Sequence, residues 1–241
     1  MAAEVFNRYE HKYLLDKNTY LQALEYMDEH MDPDPYNKGR REPYTIDNIY
    51  YDTPDDYLIR RSLQKPEYKE KLRLRSYGVP QLRSKVFLEI KKKFNGLVNK
   101  RRTVLTLEEA YRFVRTGALP APKDYMNMQV LSEIAYMCSI YDLRPKLCLA
   151  YDRIAYFENG NPDLRISFDM NIRSRRTDIA LEKGAYGSLL LGKDLYLMEI
   201  KTSLAKPLWL THMITELDLK RSSFSKYGAE FRGMSAAAKA R

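Results

Sequence analysis

The 241-residue sequence holds two cysteines, three histidines and one tryptophan. Cys138 and Cys148 are too few for a disulfide framework. His11, His30 and His212 have no metal-ligand spacing, so a zinc or cysteine-redox site is not expected. No run of 18 apolar residues exists, which excludes a transmembrane helix of ordinary length. Met1–Glu10 lacks an apolar h-region, so no signal peptide is expected and the compartment reads as cytoplasmic. Neither G-x-x-x-x-G-K-[ST] nor G-x-G-x-x-G occurs, so the two common nucleotide-binding loops are missing. No internal repeat or low-complexity tract stands out, and the chain reads as a single domain over 1–241 with a tail expected to fray from about Gly233.

What the chain does have is positive charge and tyrosine. Lys and Arg number 41 against 32 Asp and Glu, a net +9, and there are 20 tyrosines. From Arg60 to Arg102 the count is 15 basic and 3 acidic residues, a local +12, so the remainder sums to −3. A hydrophobic content of 44% is enough for a core, and the aromatic content favours strands.

Periodicity places a strand over Val5–Leu15 and a helix from about Lys17 to Met31, stopped by Asp32-Pro33-Asp34-Pro35. Tyr44–Asp52 reads as a strand, and Thr53-Pro54 as a helix start with Thr53 as N-cap. Tyr68–Tyr77 and Lys85–Phe94 alternate as strands, and Asn95-Gly96 turns the second into Leu97–Thr106. Helices are expected over about Leu107–Arg115 and Asp124–Tyr141. The strands Arg144–Phe157 and Leu164–Arg173 form a hairpin, Asp194–Lys201 is another strand, and Pro207–Glu216 and Ser222–Phe231 are helices. Strands that meet in hairpins define an α+β fold with a mainly antiparallel sheet.

Residues i and i+2 of a strand share a face. Lys71, Arg73 and Arg75 therefore point one way, as do Glu89, Lys91 and Lys93, Lys100 and Arg102, Tyr151 and Arg153, and Arg165, Ser167 and Asp169. Glu-x-Lys recurs at Glu10–Lys12, Glu89–Lys91 and Glu199–Lys201. A solvated face is the bland explanation for any one strand, and each lysine can simply pair with the Glu two residues before it. Several like-charged strands side by side, however, repel unless an anion lies between them. A closed or nearly closed barrel with a cationic lumen and a polyanion inside resolves that conflict.

The ordered segments Arg8-Tyr9-Glu10-His11-Lys12-Tyr13, Lys71-Leu72-Arg73-Leu74-Arg75, Phe87-Leu88-Glu89-Ile90-Lys91, Tyr151-Asp152-Arg153, Leu197-Met198-Glu199-Ile200-Lys201 and Ser223-Phe224-Ser225-Lys226-Tyr227 resemble the VTC domain. This is the catalytic domain of the vacuolar transporter chaperone complex, within the triphosphate-tunnel (CYTH-like) superfamily. The resemblance runs from about Phe6 to Tyr227 and looks like a free-standing, bacterial-type version. It implies an eight-stranded antiparallel tunnel flanked by helices, which binds ATP and inorganic polyphosphate and transfers the ATP γ-phosphoryl onto a growing chain with Mn²⁺ or Mg²⁺. By motif position Lys12, Arg73, Arg75, Lys91, Arg153 and Lys226 look like the catalytic phosphate contacts. Glu10, Lys71, Glu89, Lys100, Arg102, Tyr151, Arg165, Lys201 and Ser225 look like further substrate-site residues, and Glu199 like the metal ligand. A tunnel triphosphatase and a non-catalytic polyphosphate or nucleotide binder are the alternatives. Nucleic acid is not an expected partner, because a lumen cannot admit a duplex, and a separate membrane protein is a possible recipient of the product.

Overall fold

The computed structural model describes residues 9–239 apart from residues 38, 40, 96 and 204. Residues 5–8 of the first expected strand, Arg8 of its motif and Gly96 of the hairpin turn lie outside the described residues. The sequence order is β1 (Tyr9–Leu15), α1 (Lys17–Met27), β2 (Met31–Pro33), β3 (Tyr44–Asp52), α2 (Tyr57–Leu63), β4 (Tyr68–Tyr77), β5 (Lys85–Phe94) and β6 (Leu97–Thr106). It continues through α3 (Leu107–Thr116), α4 (Met128–Ile140), β7 (Arg144–Glu158), β8 (Asn161–Arg175), a 3₁₀ turn at Leu181–Lys183, β9 (Ser188–Leu189), β10 (Tyr196–Thr202), α5 (Leu208–Glu216) and α6 (Lys226–Lys239).

All strands join one antiparallel sheet in the order β1-β10-β8-β7-β3-β4-β5-β6, with β2 on β7 and β9 on β8. The eight main strands curl into a half-barrel. Among the described residues β1 and β6 do not pair, so the lumen is bounded by a curled sheet with an unpaired seam, not by a closed ladder. The alternation assigns the two faces. Leu72, Leu74, Leu88 and Ile90 pack outward against α3 and α4, and Ile166, Phe168, Met198 and Ile200 pack outward against α1 and α5. The residues between them in sequence turn inward.

Capping chemistry sets the helix limits. Asp16 accepts from the Thr19 N–H at 2.8 Å to start α1, and Thr106 with Glu109 forms a capping box on α3. Gly117, in the left-handed region at φ 70°, ends α3. Several boundaries depart from the sequence pattern. The first helix stops at Met27, because Met31–Pro33 leaves it to pair with β7 as β2. α2 begins at Tyr57, not at Pro54. Thr53 is not its N-cap, although its Oγ1 accepts from the Tyr57 N–H at 2.8 Å. The buried Asp52 carboxylate accepts from the N–H groups of Thr53, Leu58 and Ile59 at 2.8–2.9 Å, and so satisfies the helix start from the end of β3. The last helix begins at Lys226, and its backbone stays helical to Lys239, past the expected fraying point at Gly233. Tyr136, within the helix expected over Asp124–Tyr141, is 69% exposed and so faces away from the barrel.

A candidate active site in a cationic tunnel

The lumen is a cavity of about 630 Å³. It is lined by Lys12, Arg73, Arg75, Lys91, Arg153 and Lys226, and by Glu10, Lys71, Lys100, Arg102, Tyr151, Arg165, Lys201, Ser225 and Glu199. Of the site residues expected from the sequence, only Glu89 stays out of the lining. It points to the same face but lies buried beneath the lining side chains, where its carboxylate anchors their cations.

The register of the sheet explains this convergence. Tyr50, Arg73, Glu89 and Arg102 form one cross-strand row over β3, β4, β5 and β6. On the other half Lys12, Glu199 and Ser167 form a row over β1, β10 and β8, and Glu10, Lys201 and Arg165 the next. Cross-strand partners share a face, so charges far apart in sequence are stacked side by side.

Two buried carboxylate centres organise the cations. Glu89 accepts from Arg73 Nε at 2.6 Å, faces Lys100 Nζ at 2.5 Å and lies 3.9 Å from Arg75. Burial tends to raise its pKa, but Arg73, Arg75 and Lys100 hold it well below the usual carboxylate range. The second centre pairs Asp169 with Glu199. Arg153 grips Asp169 through both carboxylate oxygens, at 2.6 and 2.7 Å, and reaches Glu199 at 3.3 Å. Lys226 contacts Asp169 and lies 3.1 Å from Glu199, while Lys12 and Lys201 each lie 3.3 Å from Glu199. Burial works against ionisation of Glu199, yet Lys226, Lys12, Lys201 and Arg153 keep its pKa well below normal.

The Glu-x-Lys triplets thus behave differently. Lys12 pairs with Glu10 at 3.1 Å and Lys201 with Glu199, whereas Glu89 takes its cations from β4 and β6 and leaves Lys91 aside. Among the described residues Lys71, Lys91 and Arg102 line the lumen without a carboxylate at salt-bridge distance, although Glu10 is near enough to act on Lys91. Burial lowers the pKa of Lys71 to about 8 and, with Arg73 and Arg75 nearby, that of Lys100 to about 7. Lys91 is lowered too, because burial together with Lys201, Arg73 and Lys12 outweighs the opposing pull of Glu10. The lumen therefore holds more cationic groups than its own carboxylates neutralise, which suits a polyanion.

Uncharged groups complete the wall. Tyr151 OH accepts from Arg75 Nη2 at 3.1 Å, and its ring lies under Arg153 and Lys226. Asn48 accepts from Arg75 Nε at 2.9 Å. Ser225 both lines the cavity and caps α6, accepting from the Gly228 N–H at 3.3 Å. Tyr227 donates to Asp52 at 3.1 Å, and Arg176 binds Glu230 through two 2.8 Å hydrogen bonds, so the start of α6 is fixed over the lumen. Asp169, Asp34, Tyr50 and Tyr227 belong to the site without having been singled out. Two signals were available: Asp169 shares a face with Arg165, and Tyr227 closes the Ser223–Tyr227 segment. Cys148 and Cys138 are not nucleophiles, since burial raises their pKa to about 12 and about 11.

Among the described residues no group of three His, Cys, Asp or Glu side chains is placed to hold a metal. The donor chemistry still fits a hard cation shared with substrate. Glu199 and Glu10 both face the lumen and both contact Lys12. Mg²⁺-type ions commonly take one or two carboxylates and complete their shell with phosphate oxygens and water.

A curled antiparallel sheet with a lumen of Lys and Arg places the chain in the triphosphate-tunnel fold. An adenylyl cyclase candidate from Hippeastrum, described as having a dominant triphosphatase activity, superimposes with a TM-score of 0.55 at 16% identity, covering 93% of this chain and 95% of that one. An adenylate cyclase candidate from Bacillus halodurans gives 0.53 at 15% identity, covering 91% and 96%. The chain matches the VTC domain over residues 7–234, and it belongs to that family. It is 27% identical over 198 residues to vacuolar transporter chaperone complex subunit 4 of Schizosaccharomyces pombe, covering 72% of this chain and 27% of that protein. The Trypanosoma brucei subunit 4 is 29% identical over 174 residues, covering 60% and 22%. The chain thus spans about a quarter of the length of these curated relatives. Among the described residues no helix is long and apolar enough to cross a membrane.

Proposed function

We propose that this protein is an ATP-dependent inorganic polyphosphate polymerase that works in the cytoplasm. The observation that carries the reading is the excess of lumen-lining cationic groups, Lys71, Lys91 and Arg102, beside two clusters already neutralised by Glu89 and by Asp169 with Glu199. Such a lumen holds a linear row of phosphates. Family membership and the likeness to subunit 4 support the same substrate class.

In the proposed reaction a terminal oxygen of the polyphosphate chain attacks the γ-phosphorus of ATP. One P–O bond forms there, the β–γ bridging P–O bond breaks, and ADP leaves with the bridging oxygen. Arg73, Arg75 and Arg153 supply planar forks, and Lys12, Lys91 and Lys226 supply point charges that neutralise phosphoryl oxygens. Arg73, Arg75 and Arg153 are themselves held by Glu89, Asn48, Tyr151 and Asp169, so little reorganisation is needed when charge develops. Glu199 and Glu10 would hold Mn²⁺ or Mg²⁺, which when bound offsets phosphate charge. Partial enclosure keeps water from competing with the chain end.

Hydrolysis by the same tunnel is the second reading, favoured by the triphosphatase likeness in fold. It needs a group to take a proton from water. Glu10 and Glu89 are poor candidates. Burial tends to raise the Glu10 pKa, but Lys201 and Lys12 outweigh it and bring the group down to about 2, and Glu89 is held well below normal. The attacking phosphate of a polymer chain needs no such base.

Incubation with ATP and Mn²⁺, followed by gel sizing of the product and ADP assay, tests the reading. Long-chain polyphosphate with stoichiometric ADP is expected. Orthophosphate release from tripolyphosphate without polymer moves the assignment to triphosphatase. Displacement of labelled ATP by DNA in preference to tripolyphosphate removes the tunnel reading altogether.

A further inference from the structure

Four aromatic rings gather at one rim of the lumen. Tyr36 stacks on Tyr77 at 5.5 Å and an interplanar angle of 11°, Tyr44 lies 6.2 and 6.0 Å from these two, and Tyr77 meets Phe87 edge-on at 5.7 Å. Phe87 lines the lumen and carries the Arg102 guanidinium 4.9 Å above its ring. The rim continues the phosphate wall. Phe87 is the cross-strand partner of Arg75, Tyr44 that of Arg153, and Tyr77 follows Arg75 by two residues on the same face of β4. That step is roughly 6.8 Å, comparable to the span of a ribose between its base and its first phosphate.

Two features separate this cluster from ordinary packing. Tyr36 is 66% exposed and Tyr77 40% exposed, so their outer surfaces are open. Yet the loop that carries Tyr36 is tightly held. Asn37 bridges both backbone groups of Ala155 on β7, at 2.9 and 3.2 Å, and the Asp34 N–H donates to the same carbonyl at 2.8 Å. The Asp34 carboxylate accepts from the Tyr36 N–H at 2.9 Å and from Arg165 at 2.7 Å. A tyrosine whose outer ring face is open to solvent is thus fixed in place by five hydrogen bonds around its loop. Arg165, which lines the lumen, also has its Nε buried with no hydrogen-bond partner among the described residues, an unused donor beside the rim.

We propose that the Tyr36–Tyr77 rim is a stacking platform for the nucleobase of the phosphoryl donor, with Arg165 placed to donate to its ribose or first phosphate. This rests on the reading of the lumen as a triphosphate site. Stacking is indifferent to base identity, because every base has a π-face, so the platform selects nucleotide over free triphosphate, not one base over another. It also orients the donor, base at the rim and γ-phosphate inward, toward Lys226 and Glu199.

Calorimetric titration of ATP and of tripolyphosphate tests this on the wild type and on Tyr36→Ala, Tyr77→Ala and Tyr36→Phe. The ratio of ATP affinity to tripolyphosphate affinity is expected to fall about tenfold in each alanine variant and to be kept by Tyr36→Phe. A ratio unchanged in both alanine variants overturns the platform while leaving the lumen reading intact. Failure of folded wild type to bind tripolyphosphate overturns the lumen reading and the platform with it. Saturation transfer from the protein to the adenine protons of ATP gives a check on the wild type alone. Strong transfer to the base is expected, and transfer confined to the ribose overturns the proposal.

Discussion

Lys12 on β1 and Lys226 at the start of α6 bind the same oxygen, Oε1 of Glu199, at 3.3 and 3.1 Å. Opposite ends of the chain therefore meet on one carboxylate of β10. Arg153 and Lys201 take its other oxygen, both at 3.3 Å. Glu199 thus has two tasks, as internal counter-charge for four cations and as the proposed metal ligand.

Replacing Glu199 by Gln separates these tasks. The variant leaves four clustered cations short of one negative charge, and denaturant unfolding is expected to show a loss of roughly 3 kcal/mol. Tripolyphosphate should restore most of that loss, since the anion supplies the missing charge, and its affinity should not fall. Metal-dependent turnover is expected to disappear. Unchanged turnover would retire the metal role.

Arg73 joins the Glu89 centre to the lumen through Nε, while Nη1 extends toward Tyr50 at 3.4 Å. Arg73→Ala is expected to weaken tripolyphosphate binding by about 10- to 100-fold, as loss of a charge-assisted contact does. Arg73→Lys should recover only part of it, because an ammonium cannot bind Glu89 and phosphate as a fork. Equal affinity in Arg73→Ala and wild type would remove Arg73 from the site.

The lowered lysines give phosphate binding a pH dependence. Burial puts Lys100 at about 7 and Lys71 at about 8 in the free lumen, although a third of the Lys100 side chain still meets solvent. A bound polyanion favours their charged forms, so both pKa values rise on binding. Below pH 7 both are already charged and binding is tightest. As pH rises from 7 to 9 the free protein loses these charges, and binding must take up protons. Calorimetry in buffers of different ionisation enthalpy is expected to show net proton uptake between pH 7 and 9, with affinity falling across that range. Lys100→Met should remove the lower part of the uptake.

Asp47 lies on the outer face of β3, fully buried. One oxygen accepts from the Asn48 N–H at 2.8 Å, and the other has no partner among the described residues. Burial raises its pKa from the ordinary 3.8 to about 6. The folded chain then holds this proton more tightly than the unfolded one, so the group favours folding below about pH 4 and that contribution is lost as pH rises through 6. Asp47→Asn keeps the hydrogen bond from Asn48 and does not titrate. It is expected to be roughly 1–3 kcal/mol more stable than wild type at pH 7.5, with the gap closing at pH 4, as followed by urea denaturation.

The sequence by itself determined the strands β3 to β6 and the inward or outward direction of nearly every charged side chain on them. Both follow from a period of two and from turn residues, which are local. Lys71, Arg73 and Arg75 against Leu72 and Leu74 already announced a cationic wall and a buried back. What the tertiary structure decided is which charges satisfy each other. Glu89 passes over Lys91, two residues away, for Arg73 and Lys100 on neighbouring strands, because cross-strand partners stand on the same row of the sheet. Asp169 became an anchor for Arg153 and Lys226 only once β7, β8 and α6 converged. The rim of Tyr36, Tyr44, Tyr77 and Phe87 draws on a loop and three strands, and the seam between β1 and β6, unpaired among the described residues, depends on the curl of the whole sheet. Pairing and curl are set by long-range register, and no local pattern encodes them.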